Sequence, residues 1–200
     1  MQKTVKILLA SQNSGKLREI QAILHDLPIQ ILTPADLGIQ LDVAETGSTY
    51  AENAALKSKA YADVCGCITL ADDSGLEVDA LNGAPGLYSA RYAPDPVATD
   101  ADRRAYLLEN LVGQPRPWTA RFRATIAITL PSGETHFANG ACDGEIIPQE
   151  RGEGGFGYDP VFYIAEKDAT MAELAEDEKN RISHRARALE KAKEILLGLV

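Results

Sequence analysis

The hydrophobic pattern of the first part of the chain predicts strands that alternate with helices. Residues 5–10 form a short apolar run, as in a buried strand, and residues 11–15 form a polar turn. Residues 29–32 predict a second strand. Between these strands, apolar residues recur at helical spacing, at Leu17, Ile20, Ile23 and Leu24. The order of strand, polar loop and helix is the opening of an α/β fold.

The central part of the chain continues this alternation. Thr49 and Glu52 have the spacing of a capping box, which predicts a helix over about residues 50–64. Residues 67–71 predict a strand that ends at the polar segment 72–75. A further helix is predicted over about residues 100–112, with its leucines facing inward.

Strict alternation of apolar and polar residues in the second half predicts a β-hairpin. Residues 120–130 form a half-buried strand, residues 131–134 a turn, and residues 135–147 the partner strand. Residues 151–160 are a glycine-rich loop, and residues 161–164 predict another strand.

Two capping signals stand near the carboxyl end of the chain. Thr170 and Glu173 repeat the capping-box spacing, and Ser183 is predicted to cap the last helix. The apolar face of that helix consists of Leu189, Ile195, Leu196 and Leu199.

These elements predict an α/β fold with a mixed rather than a purely parallel sheet. Because no repeat or linker divides the chain, we predict a single domain over residues 1–200. Ligands of such sheets bind outside the carboxyl ends of strands. Two polar clusters, residues 11–16 and 72–75, are predicted at such ends.

Composition narrows the class of protein. Hydrophobic residues make up 45% and charged residues 24% of the 200 residues, as in globular proteins that bury a core without disulfides or zinc. The count of 20 basic against 29 acidic residues gives a net charge of −9, which argues against a broad nucleic-acid binder but not against a small phosphate ligand. No apolar run approaches the roughly 20 residues of a membrane span, and residues 1–9 do not resemble a signal peptide. We therefore expect a cytoplasmic protein without membrane contact.

The three cysteines, Cys65, Cys67 and Cys142, predict no cross-links. Their number is odd and no secretory signal accompanies them, so we expect reduced thiols. No set of cysteine and histidine ligands completes a zinc site. We interpret all three as small buried hydrophobic residues.

The segment of residues 11–16, Ser-Gln-Asn-Ser-Gly-Lys, is a candidate anion site. Backbone N–H groups at the start of the following helix would point at an anion, and Lys16 adds a positive charge. Ala10 and Leu17 replace the first glycine and the hydroxyl residue of a P-loop, which disfavours a Walker-type enzyme. The alternative is an ordinary helix cap with a solvated lysine.

Acidic residues form a second candidate site. Burial of the Asp72 and Asp73 carboxylates at the end of an apolar strand costs free energy unless a cation such as Mg²⁺ compensates their charge. One of the two carboxylates could accept a proton from water. Their side chains point in opposite directions in a strand. Glu45 could supply a further carboxylate, and Lys57 shares a helix face with Asn53. The alternatives are a hydrogen-bonded turn, a surface glutamate and an exposed lysine.

Aromatic and basic residues form a third group of candidates. Residues 156–159, Phe-Gly-Tyr-Asp, could stack on a base, or could belong to a plain loop with its aromatic rings in the core. Lys179, His184 and Arg185 surround a helix start, where positive charge opposes the helix dipole. An anionic ligand would explain them, and a solvated basic patch is the alternative.

Taken in order, these motifs resemble the Ham1-like, or inosine triphosphate pyrophosphatase, family. The resemblance covers about residues 5–190. Gln12 departs from the family pattern, because many relatives carry a small residue there. The matching segments are residues 11–16, 45–47, 52–54 with Lys57, 71–75, 83–86 with 88–92, 154–160 and 183–185.

The resemblance implies hydrolysis of the deaminated purine triphosphates ITP, dITP and XTP to the monophosphate and pyrophosphate. It also implies Mg²⁺, a homodimer, and a long mixed sheet with helices in two lobes around a nucleotide cleft. By motif, Asp73 would be the proton acceptor and a metal ligand, and Glu45 the second metal ligand. The residues that would bind substrate are Ser11, Gln12, Asn13, Ser14, Gly15, Lys16, Lys57, Ser74, Phe156, Gly157, Tyr158, Asp159, Lys179, His184 and Arg185.

Two other functions stay open from the sequence. One is a phosphotransferase that uses residues 11–16 as a relaxed P-loop, although Leu17 speaks against it. The other is a nucleotide sensor without turnover, in which the metal carboxylates would be unimportant.

Overall fold

The computed structural model describes residues 5–199, so residues 1–4 and 200 of the predicted domain lie outside the described part. Within that range the strands are Val5–Leu9 (β1), Ile29–Leu32 (β2), Ile68–Val78 (β3), Trp118–Thr129 (β4), Thr135–Ile146 (β5), Phe162–Ile164 (β6) and Ala169–Thr170 (β7). The α-helices are Ser14–Ile23 (α1), Tyr50–Cys65 (α2), Asp100–Leu111 (α3), Glu176–Ile182 (α4) and His184–Leu199 (α5).

The sheet is mixed, as predicted. Its strand order is β2-β1-β3-β4-β5-β6-β7. β1 is parallel to both β2 and β3, whereas β6 is antiparallel to both β5 and β7. No helix among the described residues has the length and apolar character that crossing a membrane requires.

The chain divides into two compact units. The first comprises Met1–Asp73, Ala124–Gly140 and Arg185–Val200, and the second comprises Ser74–Arg123 and Ala141–His184. The single domain and the two lobes around a cleft stay predictions.

The first unit has helices on both faces of β1. Ile7 belongs to the same buried cluster as Ile20 of α1 and Leu189 of α5. Leu8, the next residue, belongs to a second cluster with Tyr61 of α2. Because successive strand residues point to opposite faces, a strand covered on both sides needs a continuous apolar run. Each buried leucine or isoleucine contributes about 1.5–3 kcal/mol of stability.

The second unit is built around aromatic side chains. Leu107 and Leu111 of α3 pack in one cluster with Trp118 and Phe122 of β4. The rings of Phe122 and Phe162 lie 4.4 Å apart between centroids. This cluster supports the loop that carries the aromatic candidates.

The predicted strand end at residues 72–75 was wrong. β3 continues through this segment to Val78, and both Asp72 and Asp73 are buried. Aspartate and glycine are typical of turns, but here ion pairs compensate the carboxylates, so the strand continues through them.

The alternation of β4 was interpreted correctly only for its first half. Arg121 and Arg123 retain solvent exposure, whereas every residue from 124 to 129 is buried. The polar side chains of this second half are satisfied internally, since Thr129 hydrogen-bonds Ser58 at 2.7 Å. Satisfied hydroxyls allow both faces of the strand to be covered.

The capping predictions had mixed outcomes. Thr49 caps α2 by accepting a hydrogen bond from the Glu52 N–H, and α5 begins directly after Ser183. No α-helix starts at Thr170, where the Glu173 carboxylate accepts the Thr170 N–H at 2.8 Å within a turn, and α4 begins only at Glu176.

The cysteines were predicted correctly in part. All three are free thiols. Cys142 is buried, as expected, but Cys65 and Cys67 are partly exposed, so the interpretation as buried hydrophobic residues was wrong for these two.

Candidate functional site

The candidate anion loop lies at the carboxyl end of β1, as predicted. β1 pairs with β3 so that Leu9 lies opposite Leu70, and the Ala10 N–H donates to the Leu70 carbonyl at 2.8 Å. α1 begins at Ser14, and the Asn13 side chain caps it by accepting the Lys16 N–H at 3.0 Å. The loop therefore turns away from the sheet where β3 continues toward Asp72.

Asp72 is the centre of a buried ion network. Lys16 Nζ lies 2.5 Å from Asp72 Oδ1, so Lys16 is not a solvated lysine. Arg185 Nε donates to Asp72 Oδ2 at 3.1 Å, and Arg185 Nη1 donates to Glu19 Oε2 at 2.5 Å. Arg185 is only 2% exposed. The network joins α1, β3 and α5 within the first unit.

These ion pairs keep Asp72 charged. Burial alone would raise the pKa of the Asp72 carboxyl, but Arg185 and Lys16 outweigh burial and hold that pKa well below its usual range. The two acidic partners likewise raise the pKa of Arg185 against the effect of burial. Removal of one member would leave a buried charge without compensation, which costs about 3–5 kcal/mol.

Lys57 gathers the second set of acidic groups. Its Nζ lies 2.9 Å from Glu45 Oε1 and 2.9 Å from Asp73 Oδ1, and it also donates to the Asp72 carbonyl at 2.9 Å. Lys57 is therefore not an exposed lysine, and Glu45 is not a solvated surface glutamate. Two carboxylates that lie far apart in sequence thus contact the same ammonium group.

The backbone before α2 explains how Glu45 reaches this position. Asn53, one helical turn before Lys57, accepts the Gly47 N–H at 2.8 Å and so fastens this segment to the helix. A Cβ atom at Gly47 would lie 2.6 Å from the Glu52 Cβ. Only glycine permits this close approach, so the segment Glu45-Thr46-Gly47 is held against α2.

The electrostatic surroundings of Asp73 and Lys57 differ from those of Asp72. Burial raises the pKa of the Asp73 carboxyl, and Lys57 only partly opposes this effect. Burial would lower the pKa of Lys57, but Asp73 and Glu45 raise it above its usual value.

The donor set fits one hard divalent cation. No cluster of three or more histidine, cysteine or acidic side chains that could hold a metal occurs between residues 5 and 199. Mg²⁺ commonly uses one or two carboxylates and completes its shell with water and substrate phosphates. Glu45 and Asp73, which contact the same ammonium group, match that requirement.

Gln12, the departure from the family pattern, ties the anion loop to a neighbouring segment. Its Nε2 donates to the Leu41 carbonyl at 3.2 Å, and the Tyr61 hydroxyl donates to the same oxygen at 3.2 Å. An open pocket of about 670 Å³ lies beside this contact, and its lining includes Ser11, Gln12, Thr33, Ile39 and Leu41. The side chain of Gln12 thus fixes the outer edge of the loop.

The aromatic loop of the second unit is held by its own acidic residue. Asp159 Oδ2 accepts the Phe156 N–H at 2.8 Å and pairs with Lys179 Nζ at 2.5 Å. Lys179 Nζ also lies 5.0 Å from the centroid of the Phe156 ring. A Cβ atom at Gly155, where φ is +73°, would come within 2.1 Å of Asp159 Oδ2, so this position requires glycine.

Helix α3 holds both polar backbone groups of Gly157. The Gly157 N–H donates to Asp100 Oδ2 at 2.8 Å, and Arg104 Nη1 donates to the Gly157 carbonyl at 2.8 Å. Arg104 is fixed in turn by two hydrogen bonds of 2.9 Å to the Glu150 carboxylate. Asp100 and Arg104 were not predicted as site residues, although their spacing of four places them on one helix face.

The remaining candidates have mixed surroundings. Tyr158 is 4% exposed and its hydroxyl donates to the Ser89 carbonyl at 2.8 Å. This burial agrees with the alternative that the loop packs its aromatic rings in the core. The His184 ring stacks on Phe122 with centroids 4.7 Å apart. Ser74 follows Asp73 in β3 and is half-buried.

Each unit thus brings together its own group of candidates. In the first unit Lys16 and Arg185 pair with Asp72, and the neighbouring Lys57 pairs with Glu45 and Asp73. In the second unit the loop residues Phe156, Gly157 and Asp159 gather with Lys179.

The chain matches the model of the Ham1 family over residues 7–195. It is 49% identical to the dITP/XTP pyrophosphatase of Desulforamulus reducens, with 96% of each chain covered. It is also 49% identical to the dITP/XTP pyrophosphatase of Geobacillus kaustophilus, over 94% of this chain and 93% of that protein. The solved structure of a HAM1 protein from Coxiella burnetii has a TM-score of 0.88 at 43% identity, over 98% of this chain and all of the other. The Staphylococcus aureus Ham1 protein gives a TM-score of 0.85 at 42% identity, with the same coverage.

The Asp72→Asn variant tests the ion network. It should lower the free energy of unfolding by about 3 kcal/mol or more, because Lys16 and Arg185 would lose their buried counter-charge. Urea denaturation measures this change. The exposed Asp42→Asn variant is the control and should stay within about 0.5 kcal/mol of the parent. A loss below about 1 kcal/mol for Asp72→Asn would show that the network does not stabilise the fold.

Proposed function

The chain belongs to the Ham1 family, and from this premise we propose that it hydrolyses ITP, dITP and XTP to the nucleoside monophosphate and pyrophosphate. Relatives of nearly equal length that carry the name dITP/XTP pyrophosphatase support this substrate class. The single structural observation that carries the proposal is Lys57 Nζ, which lies 2.9 Å from both Glu45 and Asp73.

Asp73 is the proposed proton acceptor. The family motif assigns this role to Asp73, whose carboxylate can accept a proton from a water molecule within hydrogen-bond reach. Lys57 holds one carboxylate oxygen of Asp73 at 2.9 Å, which restricts the orientation of the group. The other oxygen of Asp73 then faces the reacting water in the proposal.

Glu45 and Asp73 are the proposed ligands of Mg²⁺. When bound, the ion supplies charge neutralisation for the triphosphate. Lys16, at the start of α1, contributes a second positive charge together with the N-terminal backbone amides of that helix. Asp72 is not a proposed metal ligand, because Lys16 and Arg185 already occupy both of its oxygens.

The loop of the second unit is the proposed base-recognition element. The Phe156 ring offers a stacking surface, and the ammonium group of Lys179, a hydrogen-bond donor, lies 5.0 Å from the centroid of that ring. The 6-oxo group of hypoxanthine or xanthine accepts a hydrogen bond from such a donor. The 6-amino group of adenine presents hydrogens instead, so adenine nucleotides are rejected.

The alternative function, nucleotide binding without turnover, has less support than hydrolysis. A nucleotide sensor without turnover is not favoured, because relatives matched over nearly the whole chain are named as pyrophosphatases.

The family resemblance further supports a homodimer that acts on the nucleotide pool of the cytoplasm. Size-exclusion chromatography with light scattering measures the proposed dimer directly.

Product analysis tests the reaction. Incubation with ITP and Mg²⁺ should give IMP and pyrophosphate, separated by anion-exchange chromatography, and EDTA should abolish turnover until excess Mg²⁺ is added. ATP should be hydrolysed far more slowly. Release of IDP and orthophosphate, or transfer of the γ-phosphate to an acceptor, would contradict the proposal.

The Asp73→Asn variant tests the proton acceptor. Turnover of ITP should fall by about 10²-fold or more, with a smaller loss of nucleotide binding, because the amide neither accepts the proton nor carries the charge. Steady-state kinetics give turnover, and calorimetry gives binding. Asp63→Asn, at an exposed position of α2, serves as the matched control and should keep full activity. Full activity of Asp73→Asn would instead show that Asp73 is not the proton acceptor of the reaction.

The Arg104→Gln variant tests the attachment of Gly157 to α3. Loss of a charge-assisted hydrogen bond of about 1.5–3 kcal/mol should raise KM for ITP about tenfold or more, with kcat within about twofold. The exposed Glu109→Gln variant on the same helix should change neither constant. A fall in kcat at unchanged KM would contradict a positioning role for Arg104.

A further inference from the structure

Two cysteines meet at the junction of α2 and β3, outside the site described above. Cys65 is the last residue of α2, and Cys67 immediately precedes β3. Their Sγ atoms lie 2.6 Å apart. Both thiols are free and partly exposed, so a small reagent in solution has access to them.

The backbone of the turn brings the two thiols together. Gly66, between them, has φ of +61°, and its N–H donates to the Ala62 carbonyl at 2.8 Å, which ends the helix. The Cys67 N–H points at Cys65 Sγ at 3.3 Å. In an extended strand, residues two apart lie nearly 7 Å from each other, so the left-handed glycine is what places the sulfurs in contact.

The space around the turn is open. A Cβ atom at Gly66 would meet no atom within 4 Å, so no neighbouring group shields this side of the turn. Cys142, in contrast, is 3% exposed and lies in the apolar cluster of the second unit. The chain therefore offers one adjacent, accessible pair of thiols and one buried thiol as an internal reference.

We propose that Cys65 and Cys67 form a reversible intramolecular disulfide by exchange with a small-molecule disulfide such as oxidised glutathione. The Cys65 thiolate attacks one sulfur of the reagent, whose S–S bond breaks and releases one glutathione thiolate. The sulfur of Cys67 then attacks Cys65 Sγ in the mixed disulfide and displaces the second glutathione. The two cysteine protons leave to solvent or to the released thiolates, and two electrons pass to glutathione.

The order of attack follows from the environment of the two thiols. The Cys67 N–H donates to Cys65 Sγ at 3.3 Å, which stabilises a thiolate on Cys65, whereas burial and the hydrogen bond with Cys65 raise the pKa of the Cys67 thiol to about 12. Cys65 is therefore the first nucleophile. The ring closed by the bond spans only three residues. Such a short loop gains little stability from cross-linking, and strained disulfides are reduced readily, so the modification is reversible.

The experiment is a thiol titration of the whole, native protein in glutathione buffers of increasing oxidised fraction. Samples are quenched in acid, alkylated, digested with trypsin and weighed by mass spectrometry. The tryptic peptide of residues 60–91 contains Cys65 and Cys67. In oxidising buffer it should lose the mass of two hydrogen atoms and resist alkylation, and dithiothreitol should restore two alkylatable thiols.

Single variants identify the bond. Cys142→Ser should close the ring as the parent does, whereas Cys65→Ser and Cys67→Ser should give at most a glutathione adduct on the remaining thiol. Three alkylatable thiols in the most oxidising buffer would overturn the proposal. So would glutathione adducts without ring closure on the parent protein, or a disulfide between two chains.

Discussion

The structure depends on the compensation of two adjacent carboxylates inside a buried strand. Asp72 and Asp73 lie within β3, where an uncompensated charge would cost several kcal/mol. Lys16 and Arg185 compensate the first, and Lys57 compensates the second. Because these cations come from three helices, the same interactions that permit the strand also fix α1, α2 and α5 against it.

The two carboxylates have different roles because their surroundings differ. Asp72 has cations on both of its oxygens, and its pKa is depressed, so it is a structural anion. Asp73 has a raised pKa and shares a single ammonium group with Glu45. We propose that Glu45 and Asp73, and not Asp72, bind a hard cation, and this difference between the two aspartates underlies the proposed chemistry.

Local patterns predicted much of the fold, whereas long-range compensation was hidden from the sequence. The strand at Ile29–Leu32 was predicted with its observed bounds, because its isoleucines flank the exposed Gln30 and pack partly buried against the core of the first unit. The continuation of β3 through Asp72 was missed, because no local signal shows that Arg185, 113 residues away, pairs with it. Of the candidate site, the sequence supplied the residue types and the family resemblance. The partners Asp100 and Arg104 of the aromatic loop emerged only from the fold.

The most direct test of this account is the binding of Mn²⁺, which takes the same oxygen ligands as Mg²⁺, measured by water-proton relaxation. We predict one bound ion per chain in the parent protein and in Asp63→Asn. We predict loss of that ion in both Glu45→Gln and Asp73→Asn, and retention of the ion in Cys142→Ser. Undiminished binding in either carboxylate variant would contradict the claim that Glu45 and Asp73 form one cation site.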